Sequence, residues 1–591
     1  MDHVIPNVCT TLLAARLMVY WLGKTNTILP DPYLDEVFHV RQAQAYWDHR
    51  WKQWDPKITT PPGLYLVSYA ITSTSSILFA KPVELSASVL RCINGLVLFN
   101  ALQFTIRRFL SIRQDKSLAK GETRANPWTL SLNALNICLF PPIFFFSGLY
   151  YTDLAALLTV LEVCNIDLGR SLPRNGHDTA KNSLGTTIMQ FLSFLVLGLA
   201  ALVFRQTNIF WVAVFLGGLR VVNTLQARSV VCISSDVWRI IKGSWYLNQI
   251  YDPPASDASI EGKASPTDLP GRQPRTNILT DYFKVGFSLA ISFVANLSAI
   301  LVAVLPYLFF LGCFGLFVLV NGSVVLGHKE FHSVGLHLPQ MLYIWPYFMF
   351  FSWPVILYPW AISVWECICQ PDPKNLRQLM NKLPRLGVVL GYLAAMITIV
   401  HLNTIVHPFT LADNRHYVFY IFRLLLRHPL IKYAVTPIYL LCGWATIAAF
   451  NSRSASISSE LAQTPSKQKG SKELDKVQAE RSIPSGASIR TSFVLLWLVS
   501  TSLSLITAPL VEPRYFIIPW VVWRLHITPL TPRSNDQSAN QATAFLTVLE
   551  FLPLLTETAW YLLINFVTGY MFLYKGFEWP QEPGKVQRFM W

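Results

Sequence analysis

Charge is what this chain has little of: Asp, Glu, Lys and Arg make up 14% of its 591 residues, against 52% apolar side chains. Ordinary soluble domains carry roughly a quarter charged residues, so a soluble multidomain protein is excluded. No cysteine pair stands at zinc spacing. The nine cysteines are scattered, mostly inside apolar runs as at Cys92, Cys138, Cys164, Cys313 and Cys442, and Cys367 with Cys369 forms only an isolated C-x-C. The expectation is thiols packed among helices, with neither a disulfide framework nor a metal site. The leading residues MDHVIPN lack a positive n-region and no small-residue cleavage site precedes Lys24, so the first apolar segment is read as a retained span.

What the chain has instead is long apolar runs, recurring at about the 20 residues that cross a hydrocarbon core of roughly 30 Å. They lie near 8–29, 87–106, 127–146, 153–169, 187–204, 209–224, 284–320, 340–364, 386–406, 433–450, 492–510 and 541–574, with a shorter one at 515–527. Backbone groups in lipid must find partners within their own segment, so these are helices. The fold class is an all-α polytopic membrane protein, a single membrane domain over 1–591 with about 12 to 14 transmembrane helices.

The formal charge of +15 does not point to nucleic acid, because the basic residues fall in loops such as 107–124 and 366–388, and such loops mark the cytosolic side. With 107–124 cytosolic, 30–86 is the first lumenal or extracellular loop, and its Ser/Thr-rich segment 64–80 is a helix lying along the interface. Loops 225–283 and 451–490 are then cytosolic, the first ending in a Pro/Ser/Asp-rich linker and the second a low-complexity insertion, both disordered and without chemistry. The run 284–320 is read as one long span bent at Pro306. That puts 321–339 on the lumenal side, where Asn321 is a glycosylation sequon.

Polar residues thereby gather on one face. Directly after the first span stand Asp35, Glu36 and His39, followed by Trp47, Trp51 and Trp54. Short turns add Asp153, then Arg205 and Gln206; later loops add His328, Lys329, His332 and His337, the run Asp413, Asn414, Arg415, His416 and Tyr417, and finally Glu512 and Arg514. Any one of them alone reads as a snorkelling or capping residue. Convergence from separate loops is what an active site between helices requires. Asp35 and Glu36 point to different sides of a helix or strand, so one of the two is the working group. A glycosyl transfer by single displacement needs one general base for the acceptor hydroxyl, and with a phosphate leaving group it dispenses with a dedicated acid. Cations must then hold the phosphate, and Arg415 can do so bidentately. The three tryptophans, spaced by four and three, read as an interfacial belt, with a sugar-stacking platform as the alternative.

The segments YLDEVFH, QWDPKITTPPGLYLVS, FRQTNIFW, NGSVVLGHK with HLPQMLY, LADNRHYVFYIFR, EPRYFIIPWVVWRLHI and the terminal QRFMW resemble the eukaryotic dolichyl-phosphate-glucose-dependent α-1,2-glucosyltransferase family. The likeness runs from residue 31 to Trp591, interrupted by the two low-complexity loops. It implies a GT-C type multispan fold and a lumenal active site in the endoplasmic reticulum membrane. It also implies dolichyl β-D-glucosyl phosphate as donor, the diglucosylated dolichyl-pyrophosphate-linked oligosaccharide as acceptor, and inversion at the anomeric carbon. The family's acidic first lumenal loop maps onto Asp35 and Glu36 without deciding between them. Residues 512–514 read Glu-Pro-Arg, a departure from the family pattern that leaves the Glu512/Arg514 geometry open.

The resulting expectation is an inverting glucosyltransferase with Asp35 as general base on the acceptor 2-hydroxyl and Glu36 as the second candidate. Arg415 and His416 hold the donor phosphate, helped by Arg205, Lys329 or Arg514, while His39, Trp54, Asp153, Gln206, Asn414 and Tyr417 contact substrate. No DxD motif occurs in a lumenal loop, so no metal and no cofactor are expected. A transporter or flippase is the competing class, disfavoured because no inverted repeat is visible and the acidic pair lies in a loop away from span centres. A channel-associated regulatory subunit, which would need neither Asp35 nor Arg415, is the third.

Overall fold

The computed structural model describes residues 4–80, 83–118, 125–170, 184–231, 236–255, 278–327, 335–369, 386–451, 489–508, 510–527 and 540–591, with scattered positions between 371 and 384. The runs read as spans are helical. Nine helices among the described residues are long and apolar enough to cross a membrane, or up to ten if the bent pair Pro127–Leu139 and Pro141–Ser147 is one span. The helices Asp153–Arg170, Thr491–Leu505 and Ile517–His526 run between the same two ends of the bundle. The first carries Asp153, Glu162, Asp167 and Arg170, and the other two are short, so a criterion of length and hydropathy passes over them.

Side-chain contacts fix which loops share an end. At one end the Thr59 carbonyl accepts from Leu326 N at 3.3 Å and Gln206 Nε2 at 2.7 Å. His337 N there bonds the Ile506 carbonyl, and Leu338 N bonds Asn403 Oδ1. At the other end Arg108 pairs with Glu162 and Arg113 donates to the His526 carbonyl. Helix Gly63–Phe79 begins against the Val203 backbone, and the chain beyond it returns so that the Leu85 carbonyl meets Gln44 Nε2. Both its flanks thus lie in the layer that holds the first loop.

One expectation is corrected. The run 284–320 is not a single span bent at Pro306 but two helices, Ile278–Ala295 and Leu297–Asn321, parted at Asn296, with Pro306 inside the second. The physical reason is the polar face of the first helix. Its Asp281 accepts from Tyr251 Oη and its Ser288 bonds Ser244, which fastens it to the amphipathic helix Val237–Tyr246 at the far end of the bundle. Only the second helix runs the length of the bundle. Within 225–283 the chain also forms a parallel pair, Val230–Val231 with Gln249–Ile250. The linker expected over 251–276 is ordered at its start, where Tyr251 bonds Ser288 and Asp281 and Asp252 accepts from Ser492; its remainder from 256, and most of the 451–490 insertion at 452–488, lie outside the described residues.

Local chemistry sets the elements that carry the site. Pro141 and Pro142 cannot continue the helix ending at Leu139, and the chain turns there by 63°. That turn delivers Tyr150, Tyr151 and Asp153 to the end of the bundle. Asn94, within a π turn, donates to the Leu149 and Tyr151 carbonyls and holds them. Below lies an aromatic core in which Phe140 stacks on Trp520 at 3.7 Å, with the Trp520 indole bonded to Ser352.

Candidate active site

The two adjacent carboxylates go opposite ways because Leu34 takes a left-handed conformation (φ 52°), which turns the chain just before the helix Glu36–Trp47. Glu36 is wholly buried. Its Oε1 accepts from Arg91 Nε (2.9 Å) and the Tyr150 N–H (2.7 Å), and its Oε2 from Arg91 Nη2 (2.7 Å) and the Tyr33 N–H (3.1 Å). Arg91 spends its other donors on Asn26 Oδ1 and the Leu29 and Asp31 carbonyls. The pair therefore welds the first loop to the bundle, every charge met by hydrogen bonds.

Asp35 faces outward with 47% of its side chain exposed, and Arg514 Nη1 stands 3.3 Å from its Oδ2. The same guanidinium lies 2.8 Å from Glu512 Oε2, 4.0 Å from Asp153 Oδ2, and over the rings of Phe146 and Tyr151. Burial alone would lower the Arg514 pKa, but Glu512, Asp35 and Asp153 outweigh it and raise it well above its ordinary value. Asp153, first residue of its helix and 4% exposed, takes Arg205 Nη1 at 2.9 Å. Three carboxylates and two guanidiniums thus share one spot. His39, one turn from Asp35, is buried and hydrogen-bonded to Tyr65 Oη at 2.6 Å; burial depresses its pKa despite the nearby Asp35, so the imidazole is neutral at pH 7.

Arg415 and His416 belong to a neighbouring cluster. Arg415 clasps Asp413 bidentately (2.8 and 2.7 Å), donates to Gln587 Oε1, and lies 4.5 Å over the Trp579 ring. Burial would raise the Asp413 carboxyl, but the Arg415 guanidinium and N–H hold it below the usual range. His416 Nδ1 is 3.1 Å from the Trp591 carbonyl oxygen. The segment 415–417 pairs with the tail, Met590 N donating to the Arg415 carbonyl and Tyr417 N to that of Met590. Tyr33, two residues before Asp35, receives a bond from Arg588 N and donates to its carbonyl, so loop, tail and 413–417 meet. Between the 409–419 and 510–513 segments opens a cavity of about 200 Å³ whose wall includes Asp413, His416 and Glu512.

The other residues expected to contact substrate have these partners within the protein. Gln206 clamps the Thr59 carbonyl, Trp54 donates to the Ile58 carbonyl, Asn414 accepts from the Trp579 indole, and the Tyr417 ring packs on Trp591. Trp51 and Trp47 pack edge-on against Tyr69. His328, Lys329 and His332 lie outside the described residues. Among the described residues no group of three His, Cys, Asp or Glu side chains is placed to hold a metal ion.

A family model described as the DIE2/ALG10 family matches residues 29–525. The chain belongs to the DIE2/ALG10 family. A DIE2/ALG10 relative from Aspergillus fumigatus is 44% identical over 97% of this chain and 96% of its own, one from Emericella nidulans is 44% identical over the same shares, and one from Mus musculus is 28% identical over 99% and 97%. All three are named Dol-P-Glc:Glc(2)Man(9)GlcNAc(2)-PP-Dol alpha-1,2-glucosyltransferase. No solved structure matches. The chain is accordingly a polytopic glycosyltransferase. For this DIE2/ALG10 member the matched span includes every site segment named above except the tail at 577–591. Sequence reading missed Arg91 and Asn94, yet a signal was there: an arginine and an asparagine inside the apolar run 87–106 need partners.

Proposed function

We propose that the chain transfers glucose from dolichyl β-D-glucosyl phosphate to the diglucosylated dolichyl-pyrophosphate-linked oligosaccharide, forming the terminal α-1,2 linkage on the lumenal side of the endoplasmic reticulum membrane. The observation that carries the residue assignment is the contrast between the two neighbours. Glu36 has its oxygens filled by Arg91 and backbone donors, whereas Asp35 is half exposed beside Arg514. Asp35 takes the proton of the acceptor 2-hydroxyl as that oxygen attacks the anomeric carbon. The bond from that carbon to the phosphate oxygen breaks, its electron pair leaves with dolichyl phosphate, and the β-linked donor gives an α-linked product.

Arg514 and Arg205 receive the phosphate charge in this reading, which their position beside Asp35 and Asp153 supports. Both are engaged by carboxylates in the free protein, so the donor phosphate must take over contacts that Asp153 and Glu512 now hold. Arg415 and His416 support the same end of the bundle from the neighbouring cluster. The reading requires no metal, and a chelator should leave the rate unchanged; a rate restored only by added divalent ion would overturn that part. The central test is Asp35→Asn in a purified transfer assay with linkage analysis of the product. A loss of about 10²- to 10⁴-fold in kcat with unchanged thermal unfolding is expected. Near-normal transfer would remove Asp35 from the role.

A further inference from the structure

The cavity between 409–419 and 510–513 has a wall that discriminates between kinds of ligand. Its polar members are Thr410, Asp413, His416 and Glu512, and its apolar ones include Phe409 and Phe419. Among the described residues no lysine or arginine lines it. The nearest guanidiniums, Arg415 and Arg514, grip Asp413 and Glu512. A phosphate inside the cavity would meet the two carboxylates ahead of the guanidiniums that grip them, which disfavours the donor's anionic linkage there. A neutral polyol meets what it needs. Carboxylates are acceptors only, with up to about four lone-pair sites each, matched to hydroxyl donors that lie side by side on a sugar ring. Phenyl rings offer an apolar surface to the ring's C–H face, and at about 200 Å³ the cavity suits a single ring better than an oligosaccharide.

Position adds a second argument. Glu512 on the cavity wall and Asp35 at the proposed reaction centre are held by one guanidinium, Arg514 Nη2 at 2.8 Å from the former and Nη1 at 3.3 Å from the latter. A ring in the cavity is therefore one side chain away from the base. The helix Pro408–Ala412 that forms the far wall is fixed at its start by Pro408 in the first turn and by the His407 side chain accepting from Phe409 N.

We propose that this cavity seats an uncharged glucopyranose ring, the terminal glucose of the acceptor glycan, with Asp413 and Glu512 accepting hydrogen bonds from its hydroxyls and Phe419 covering its apolar face. The proposal rests on the glucosyl-transfer reading, and its substrate class could also be met by the glucosyl group of the donor; the experiment separates the two. Initial rates are measured for the full-length protein in detergent with dolichyl-phosphate-glucose and the diglucosylated lipid-linked oligosaccharide, each varied in turn, for wild type, Thr410→Val, Phe419→Ala and Glu512→Gln. Transfer by the wild type establishes the parent reading, and its absence fails that reading rather than the cavity. The expected result is an acceptor KM raised about 10-fold in Phe419→Ala, with a smaller rise in Thr410→Val, and a donor KM within twofold of wild type in both; Glu512→Gln should raise the acceptor KM about 10-fold while lowering the donor KM, because Arg514 loses the carboxylate that competes with the phosphate. Soluble methyl α-glucoside should inhibit competitively against the acceptor, more weakly in Phe419→Ala. A raised donor KM with unchanged acceptor KM would overturn the assignment in favour of the donor's ring, and unchanged values for both substrates in variants that unfold at the wild-type temperature would overturn it altogether.

Discussion

At the scale of single residues, adjacent carboxylates with opposite fates are the feature from which the chemistry follows. Leu34 pays a local strain that reverses the chain, so Glu36 enters the core and Asp35 does not. Breaking a buried, fully bonded ion pair by removing one charge costs about 3–5 kcal/mol, so Glu36→Gln should lower the unfolding temperature markedly. A variant that unfolded like wild type but lost kcat would instead make Glu36 the base. His39 supplies a pH signature. Its folded-state pKa lies below the ordinary value of about 6.5, so between those two values the unfolded chain binds a proton that the native protein refuses. Stability is therefore full above pH 6.5 and declines as pH falls below it. Thermal scans across pH 5 to 7.5 should show that decline in wild type and a flatter profile in His39→Gln.

At the scale of elements, the site depends on loops clamped by backbone contact. Gly327 shows how tight the clamp is: a Cβ there would overlap the carbonyl oxygens of Pro56 and Ile58, neither of which belongs to a flexible side chain. Gly327→Ala should push the 55–59 segment away from the bundle, and because misplacement of about 1 Å can cost some 100-fold, transfer should fall on that order while helix content by circular dichroism stays unchanged. Helix existence was legible in the apolar runs, and the Pro141-Pro142 turn was latent in the letters. The break at Asn296 was not, because the polar face that sets it is met by Ser244 and Tyr251, in a segment some 30 to 45 residues earlier in the chain. Hydropathy alone reads that polar face as part of one long span.

At the scale of the whole molecule, the tail closes the site from the other end of the chain. Arg588 bonds Tyr33 through its backbone and the Phe572 and Leu573 carbonyls through its guanidinium, while Met590 and Trp591 line up with 415–417. Deleting 588–591 and replacing Arg415 by Ala should then give one shared defect, a loosened 413–417 loop with weaker use of both substrates. A double-mutant cycle should show the combined loss to be smaller than the sum of the two; strict additivity would mean that tail and loop act separately. The sequence by itself determined the membrane class, the helices and the candidate groups, because lipid-length apolar runs and rare charges beside them are local facts of composition. It ranked Asp35 before Glu36 without a physical ground for the order, and it named Arg415 and His416 for the donor phosphate without showing what else they touch. Only the tertiary structure decided where each charge is spent, filling Glu36 from Arg91 and closing Arg415 on Asp413 and Trp579. Such pairings join residues tens to hundreds of positions apart or turn on local loop geometry, and no periodicity records them.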